Sequence, residues 1–366
     1  MRKIRVLVVD DSTVIRRLVS DTLNSDPGLE VVATAPNGRI ALAKIPQINP
    51  DVITLDMEMP EMDGIATLVE LRKSYPRLPV IMFSTLTQRG AIETLDALAK
   101  GANDYVTKPA NVGSVTAALQ NVQKELIPKI KGFCSWSQPS PVASTAIRRP
   151  PASAPRKSVP IGGSHVDIVA IGVSTGGPNA LATVLARIPA TFSVPIVVVQ
   201  HMPPIFTKHL ANRLDQTSPL AVREAQAGDV VQSGGVWLAP GDYHLVLNRQ
   251  ATTVKLDTNQ LPPENSCRPA VDVLFRSVSE VYGPHVLAVV MTGMGQDGLR
   301  GCEAVRDAGG RVLVQDEASS VVWGMPGAVT RAGLADGVAS LDRLADEIVR
   351  ETQPCRKTHL LATATS

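Results

Sequence analysis

Short runs rich in Val and Ile recur along this chain, separated by helix-like stretches, and they fall into two blocks. The first holds "IRVLVVD", "EVVATA", "DVITLD", "PVIMFS" and "DYVTKP"; the second holds "VDIVAIGVS", "VPIVVVQH", "VWLAPG", "HLVLN", "TVKL", "HVLAVVMTG" and "GRVLVQD". Apolar runs of this length bounded by turn residues read as buried strands. Strands alternating with helices pair in parallel through right-handed crossovers. Two α/β units are therefore predicted. Between them lies "SWSQPSPVASTAIRRPPASAPRKSVPIGGS", whose Pro, Ser and Ala cannot bury enough apolar surface to fold. The expected division is a first unit over 1–127, a flexible linker over 128–164, a doubly wound, mostly parallel second unit over 165–350, and a disordered tail over 351–366.

Apolar residues make up 44% of the chain but aromatics only 3%, so the cores must be built from Val, Leu, Ile and Ala. A net charge of +2 gives no reason to expect nucleic acid or an anionic membrane surface as a main partner. The opening "MRKIRVLVVDDS" breaks into two aspartates after a short apolar stretch, which is neither a signal peptide nor a membrane span. Cys134, Cys267, Cys302 and Cys355 form no C-x-x-C pair, so neither a disulfide framework nor a zinc site is expected, and a cytoplasmic location fits.

Asp10 and Asp11 close the first predicted strand and Asp56 the third. The carboxyl ends of parallel strands share one edge, where α/β folds bind ligands. Carboxylates gathered there repel unless a cation joins them, and Mg²⁺ is the natural choice. Ser84 ends the fourth strand and Lys108 the fifth, so a hydroxyl and an ammonium face the acidic cluster and could hold a phosphoryl group on Asp56. A cis bond at Pro109 would turn Lys108 inward.

In the second unit "AIGVSTGGPNA" sets glycines around Ser174 between a strand and a helix. Three readings compete. A dinucleotide turn needs G-x-G-x-x-G, yet Ser174 stands at the middle glycine and "VVVQH" ends in Gln200 and His201 rather than an acid. A nucleophile elbow fits G-x-S-x-G. The third reading is a serine that simply caps a helix. A serine nucleophile needs a base and an orienting acid. His165 lies where the linker meets the second unit, His209 in a helical stretch, His244 inside a strand pattern, His285 at the wrong end of its strand and His359 in the tail. His201 alone follows a buried strand, and "TGMGQDG" after another such strand supplies Asp297. Backbone N–H groups after Ser174 and around Met294 could serve as an oxyanion hole. Cys302 has no paired histidine and reads as packing.

Residues 1–127, through "VVDDS", "LDMEMPEMDG", "FSTLT" and "DYVTKP", resemble a response-regulator receiver domain. The resemblance implies a flavodoxin-like (βα)5 fold with Asp56 phosphorylated by a histidine kinase. It implies Mg²⁺ held by Asp11, Asp56 and the Glu58 carbonyl with Asp10 assisting, Ser84 and Lys108 as switch residues, and Tyr105 as their aromatic partner. The C-terminal unit, through "IGVSTGGP", "VVVQHMPP", "LAPGDYH", "RPAVDVLFRSV", "MTGMGQDG" and "VWGMPGAV", resembles the catalytic domain of chemotaxis protein-glutamate methylesterases, the CheB family. That implies a Ser174–His201–Asp297 triad, an oxyanion N–H from Met294 and assistance from Thr175. It also implies no cofactor for the esterase, and a substrate of glutamate γ-methyl esters on methyl-accepting chemotaxis receptors, with glutamine deamidation as a second activity. Two other classes stay open on the residues alone: a phosphate- or nucleotide-binding module, and a regulator acting by protein contact.

Overall fold

The computed structural model describes residues 2–108, 122–135 and 165–353. The N-terminal unit is a five-stranded parallel sheet of β1 (Ile4–Val9), β2 (Leu29–Ala35), β3 (Val52–Asp56), β4 (Val80–Ser84) and β5 (Asp104–Thr107), in the order β2-β1-β3-β4-β5. Four helices alternate with the strands: α1 (Thr13–Asn24), α2 (Gly38–Ile48), α3 (Gly64–Ser74) and α4 (Gln88–Ala99). Ser12, Asn37, Asp63 and Thr87 each cap one through a side-chain oxygen that accepts a first-turn N–H, which satisfies one orphan donor per helix.

The stretch expected to be flexible from residue 128 starts as a helix. A π-helical turn at Val122–Leu126 runs into α5 (Ile127–Ser135). Leu126, Ile130, Phe133 and Cys134 are buried against Val6, Val8, Val52, Ile81 and Val106. Their spacing forms one apolar stripe, which the Pro/Ser-rich text beginning just beyond it obscured. Lys131 pairs with Asp26 at 2.6 Å, and Lys129 donates to the Tyr105 carbonyl at 2.6 Å. The remainder of the predicted linker, the tail from residue 354 and the bond at Pro109 lie outside the described residues.

The C-terminal unit is a seven-stranded parallel sheet in the order β14-β13-β12-β6-β7-β9-β8. Its strands are β6 (Ile168–Val173), β7 (Ile196–Gln200), β8 (Ala221–Glu224), β9 (Gly235–Leu238), β12 (Val286–Val290), β13 (Arg311–Gln315) and β14 (Gly337–Ala339). A separate antiparallel hairpin holds β10 (His244–Gln250) and β11 (Thr253–Asn259). Helices α6 (Gly177–Arg187), α7 (Phe206–Thr217), α8 (Val271–Tyr282), α9 (Leu299–Asp307), α10 (Met325–Arg331) and α11 (Leu341–Thr352) cover the sheet. Edge strands β8 and β14 were not predicted: "AVRE" and "GVA" are too short to show a period. Trp237, Phe206 and Phe275 are the bulkiest fully buried residues in an otherwise mainly aliphatic core. From β6 the chain winds to one side of the sheet and then returns to wind out through β12 to the other. This reversal opens a crevice at the carboxyl ends of β6 and β12.

The two units touch. Helix α4 packs on α6 and α7. Asn179 Nδ2 donates to the Leu98 carbonyl at 2.8 Å, and an Arg213 guanidinium N–H donates to the Leu95 carbonyl at 2.7 Å. Among the described residues no helix is long and apolar enough to cross a membrane.

Candidate active site

Ser174, His201 and the Asp297 loop follow three neighbouring central strands, β6, β7 and β12. Gly176 at φ +77° lets the chain turn sharply from Ser174 into α6. Gly293 lets the β12 loop approach, because a Cβ there would lie 2.9 Å from Ser174 Cβ. Ser174 N–H donates to the Thr292 carbonyl at 3.0 Å, and the Ser174 carbonyl accepts from Gly177 N–H and from Gln200 Nε2. The backbone around the serine is thus fixed from three sides, while its hydroxyl has no hydrogen bond among the described residues.

His201 Nε2 lies 2.8 Å from Asp297 Oδ2. Asp297 is 2% exposed and well satisfied. It accepts from Val271 N–H at 2.7 Å, Asp272 N–H at 3.0 Å, Gly298 N–H at 3.0 Å and Asn265 Nδ2 at 2.9 Å. Two of these donors open helix α8, whose N-terminal dipole favours an anion. Burial works against the charged carboxylate, but the His201 bond and charge and these N–H donors outweigh it and hold Asp297 below its usual range. For His201, burial likewise disfavours the cation. The bond to Asp297 and the contact with Cys267 overcome that and raise the imidazole to about 10.

The backbone N–H groups of Thr175 and Met294 have no partner among the described residues, which suits them to hold an oxyanion. Thr175 is buried and its carbonyl accepts from the Thr292 hydroxyl at 2.9 Å. Met294 is partly buried beneath α5: a Cβ at Gly132 would come 3.1 Å from Met294 Cε. Cys302 is wholly buried, with its thiol pushed up by burial, in keeping with packing.

Sequence reasoning missed Cys267, Asn265, Gln200 and Thr292. Cys267 Sγ lies 3.6 Å from His201 Nδ1. Asn265 Nδ2 bridges Asp297 to buried Asp272. No periodicity marks these residues; Gln200, adjacent to His201 at the end of β7, and Thr292, at the head of "TGMGQDG" just after β12, carry a positional signal, and Cys267 and Asn265 carry none.

In the N-terminal unit the acidic cluster is present. Oxygens of Asp10, Asp11 and Asp56 lie within 4.8 Å of one another. Lys108 Nζ sits 2.6 Å from Asp56 Oδ1 and 3.3 Å from Asp10 Oδ2. Burial raises Asp56 to about 6 despite the Lys108 bond, and raises Asp10 as well. Among the described residues buried Asp56 Oδ2 has no hydrogen-bond partner. An unpartnered carboxylate oxygen among three acids fits a hard divalent cation. Glu58 lines the same cleft as Asp11. Ser84 differs from expectation: its hydroxyl donates to the Gly90 carbonyl at 3.1 Å and accepts from Thr94 at 2.6 Å, so it is turned toward α4 instead of Asp56. Tyr105 is buried at the contact between the two units.

Residues 169–348 match the family model described as CheB methylesterase, and residues 6–120 match the response regulator receiver domain. A protein-glutamate methylesterase/protein-glutamine glutaminase of Trichodesmium erythraeum is 56% identical over 96% of this chain and 99% of its own. The chain belongs to the CheB methylesterase family. A second relative of the same description, from Nocardioides sp., is 52% identical over 96% of each chain. The crystal structure of the Thermotoga maritima CheB methylesterase catalytic domain matches at TM-score 0.50 with 43% identity, over 51% of this chain and 99% of that one. The N-terminal unit is a receiver domain and the C-terminal unit a methylesterase domain, and the chain is an enzyme of that class.

Proposed function

We propose that the methylesterase domain hydrolyses γ-methyl esters of glutamate on methyl-accepting chemotaxis receptors through Ser174, His201 and Asp297. The observation that carries this reading is the His201–Asp297 pair, which leaves Nδ1 as the ring nitrogen able to serve Ser174. Ser174 Oγ attacks the ester carbonyl while Nδ1 takes its proton. The carbonyl oxygen becomes an oxyanion facing the Thr175 and Met294 N–H groups. Asp297 holds the imidazolium, which passes its proton to departing methanol. Water activated by the same nitrogen then releases glutamate. Deamidation of receptor glutamines follows the same route with ammonia leaving.

The receiver controls this chemistry. Asp56 is the phosphoacceptor for a histidine kinase. Asp11, Asp56 and the Glu58 carbonyl, with Asp10 beside them, would hold Mg²⁺, which would supply neutralising charge for phosphoryl transfer. Phosphorylation offers Lys108 and Ser84 a new partner, drawing Ser84 from α4 and loosening the α4 contact with α6 and α7. Helix α5 seated on Met294 supports a restraining role, because it ties the receiver to the loop that holds the oxyanion N–H.

Methanol release from methylated receptor membranes tests the reading. Wild type should release methanol, more so after phosphorylation, and folded Ser174→Ala should release essentially none. Substantial release by Ser174→Ala would remove Ser174 from the mechanism.

A further inference from the structure

Both ring nitrogens of His201 have partners, and neither partner is Ser174. Nε2 bonds to Asp297 at 2.8 Å, and Nδ1 lies 3.6 Å from Cys267 Sγ. Cys267 sits on the loop that leads into α8, two residues beyond Asn265, which fastens that loop to Asp297. It is half-buried, whereas Cys134 and Cys302 are buried.

An imidazole nitrogen has a single site in the ring plane. On the neutral ring, with Nε2–H donating to a carboxylate that can only accept, Nδ1 presents one lone pair to one donor. On the imidazolium, Nδ1 carries one N–H for one acceptor. A thiol serves either state weakly, as donor or as acceptor. The Ser174 hydroxyl needs that same position to lose its proton, and among the described residues it has no hydrogen bond.

We propose that Cys267 competes with Ser174 for Nδ1 of His201, so that its thiol holds the catalytic base in a parked state and sets how readily the serine is activated. This rests on the Ser174–His201–Asp297 reading. Sulfur suits the role because its hydrogen bonds are weak: it occupies Nδ1 without trapping it, and a correctly seated ester can shift the balance toward Ser174. Cys267 touches the base and not the reacting carbon, so it is a positioning residue.

The test is the rate at which a small serine-directed phosphonate labels the intact protein, a readout independent of receptor docking. Cys267→Ala removes the competing group. Cys267→Val removes it while keeping bulk, and guards against a collapsed loop. Both should label roughly 2- to 10-fold faster than wild type, the equilibrium worth of one modest hydrogen bond. Cys267→Ser keeps a donor and should label no faster than wild type. A purely structural role predicts instead that all three variants slow. Equal or slower labelling of both Ala and Val variants overturns the proposal. Ser174→Ala is the separate control: if it still labels, the serine assignment fails and this proposal falls with it. If labelling depends on Ser174 but the expected order is absent, only the role of Cys267 is wrong.

Discussion

The ring of Tyr105 lies flat against that of Phe206, with centroids 5.0 Å apart and planes within 4° of parallel. Tyr105 belongs to β5 of the receiver and Phe206 opens α7, five residues after His201. The stack therefore joins the proposed switch region of one domain to the loop that carries the proposed base, His201, of the other. An aromatic pair of this kind contributes about 0.5–1.5 kcal/mol beyond its buried area. Tyr105→Ala should accordingly raise methanol release by the unphosphorylated chain roughly 2- to 10-fold, and a fragment starting near residue 160 should rise at least as much. An unchanged rate in a folded Tyr105→Ala protein would show that the stack is not a restraint.

Ser174, His201 and Asp297 should behave as one unit. His201→Ala is expected to lose nearly as much kcat as Ser174→Ala, and the double variant little more, since groups acting on one proton transfer are strongly non-additive. Asp297→Asn should cost less, because an amide oxygen in the Oδ1 position still accepts from the Asp272 and Gly298 N–H groups and keeps the side chain in place. Steady-state kinetics of the four variants decides; losses that multiply in the double variant would separate serine from histidine.

The raised His201 value gives a pH dependence with a definite sign. The base must be neutral to accept a proton, so kcat/KM should climb as pH rises, with its acid limb well above the ordinary histidine value and approaching about 10. A profile already flat from pH 7 upward would show that the Asp297 bond and the Cys267 contact do not hold the imidazole above its ordinary range. Asp297→Asn should move the limb to lower pH.

Asp56 is less stable ionised in the fold than in water, because burial outweighs its Lys108 bond and lifts it to about 6. Its folded value exceeds the unfolded one, so stability falls as pH rises from about 4 to about 6 and stays lower above that. Asp56→Asn should therefore stabilise the receiver at neutral pH by about 1–3 kcal/mol, read as a higher Tm. Mg²⁺ should stabilise wild type more than the variant. Phosphodonor labelling should need Mg²⁺ and vanish in Asp56→Asn; labelling that persists would place the acceptor elsewhere.

Much of this architecture was legible from local chemistry. The runs around β6, β7 and β12 declared themselves by composition and by the turn residues that end them. Parallel pairing then requires that whatever follows them shares one edge, so the sequence alone groups Ser174, His201 and Asp297. Asp10, Asp11 and Asp56 were grouped by the same rule. Helix α5 was equally available as an apolar stripe and was missed because low-complexity text adjoins it. What only the tertiary structure decided is which atom each side chain meets. Cys267 reaches Nδ1 across 66 positions of chain and Asn265 reaches Asp297 across 32. Ser84 bonds to α4 instead of facing Asp56, and Gly132 of α5 rests over Met294. Periodicity and turn preference act over a few residues, whereas these contacts depend on how separate loops pack over a shared sheet edge, and no local rule carries that information.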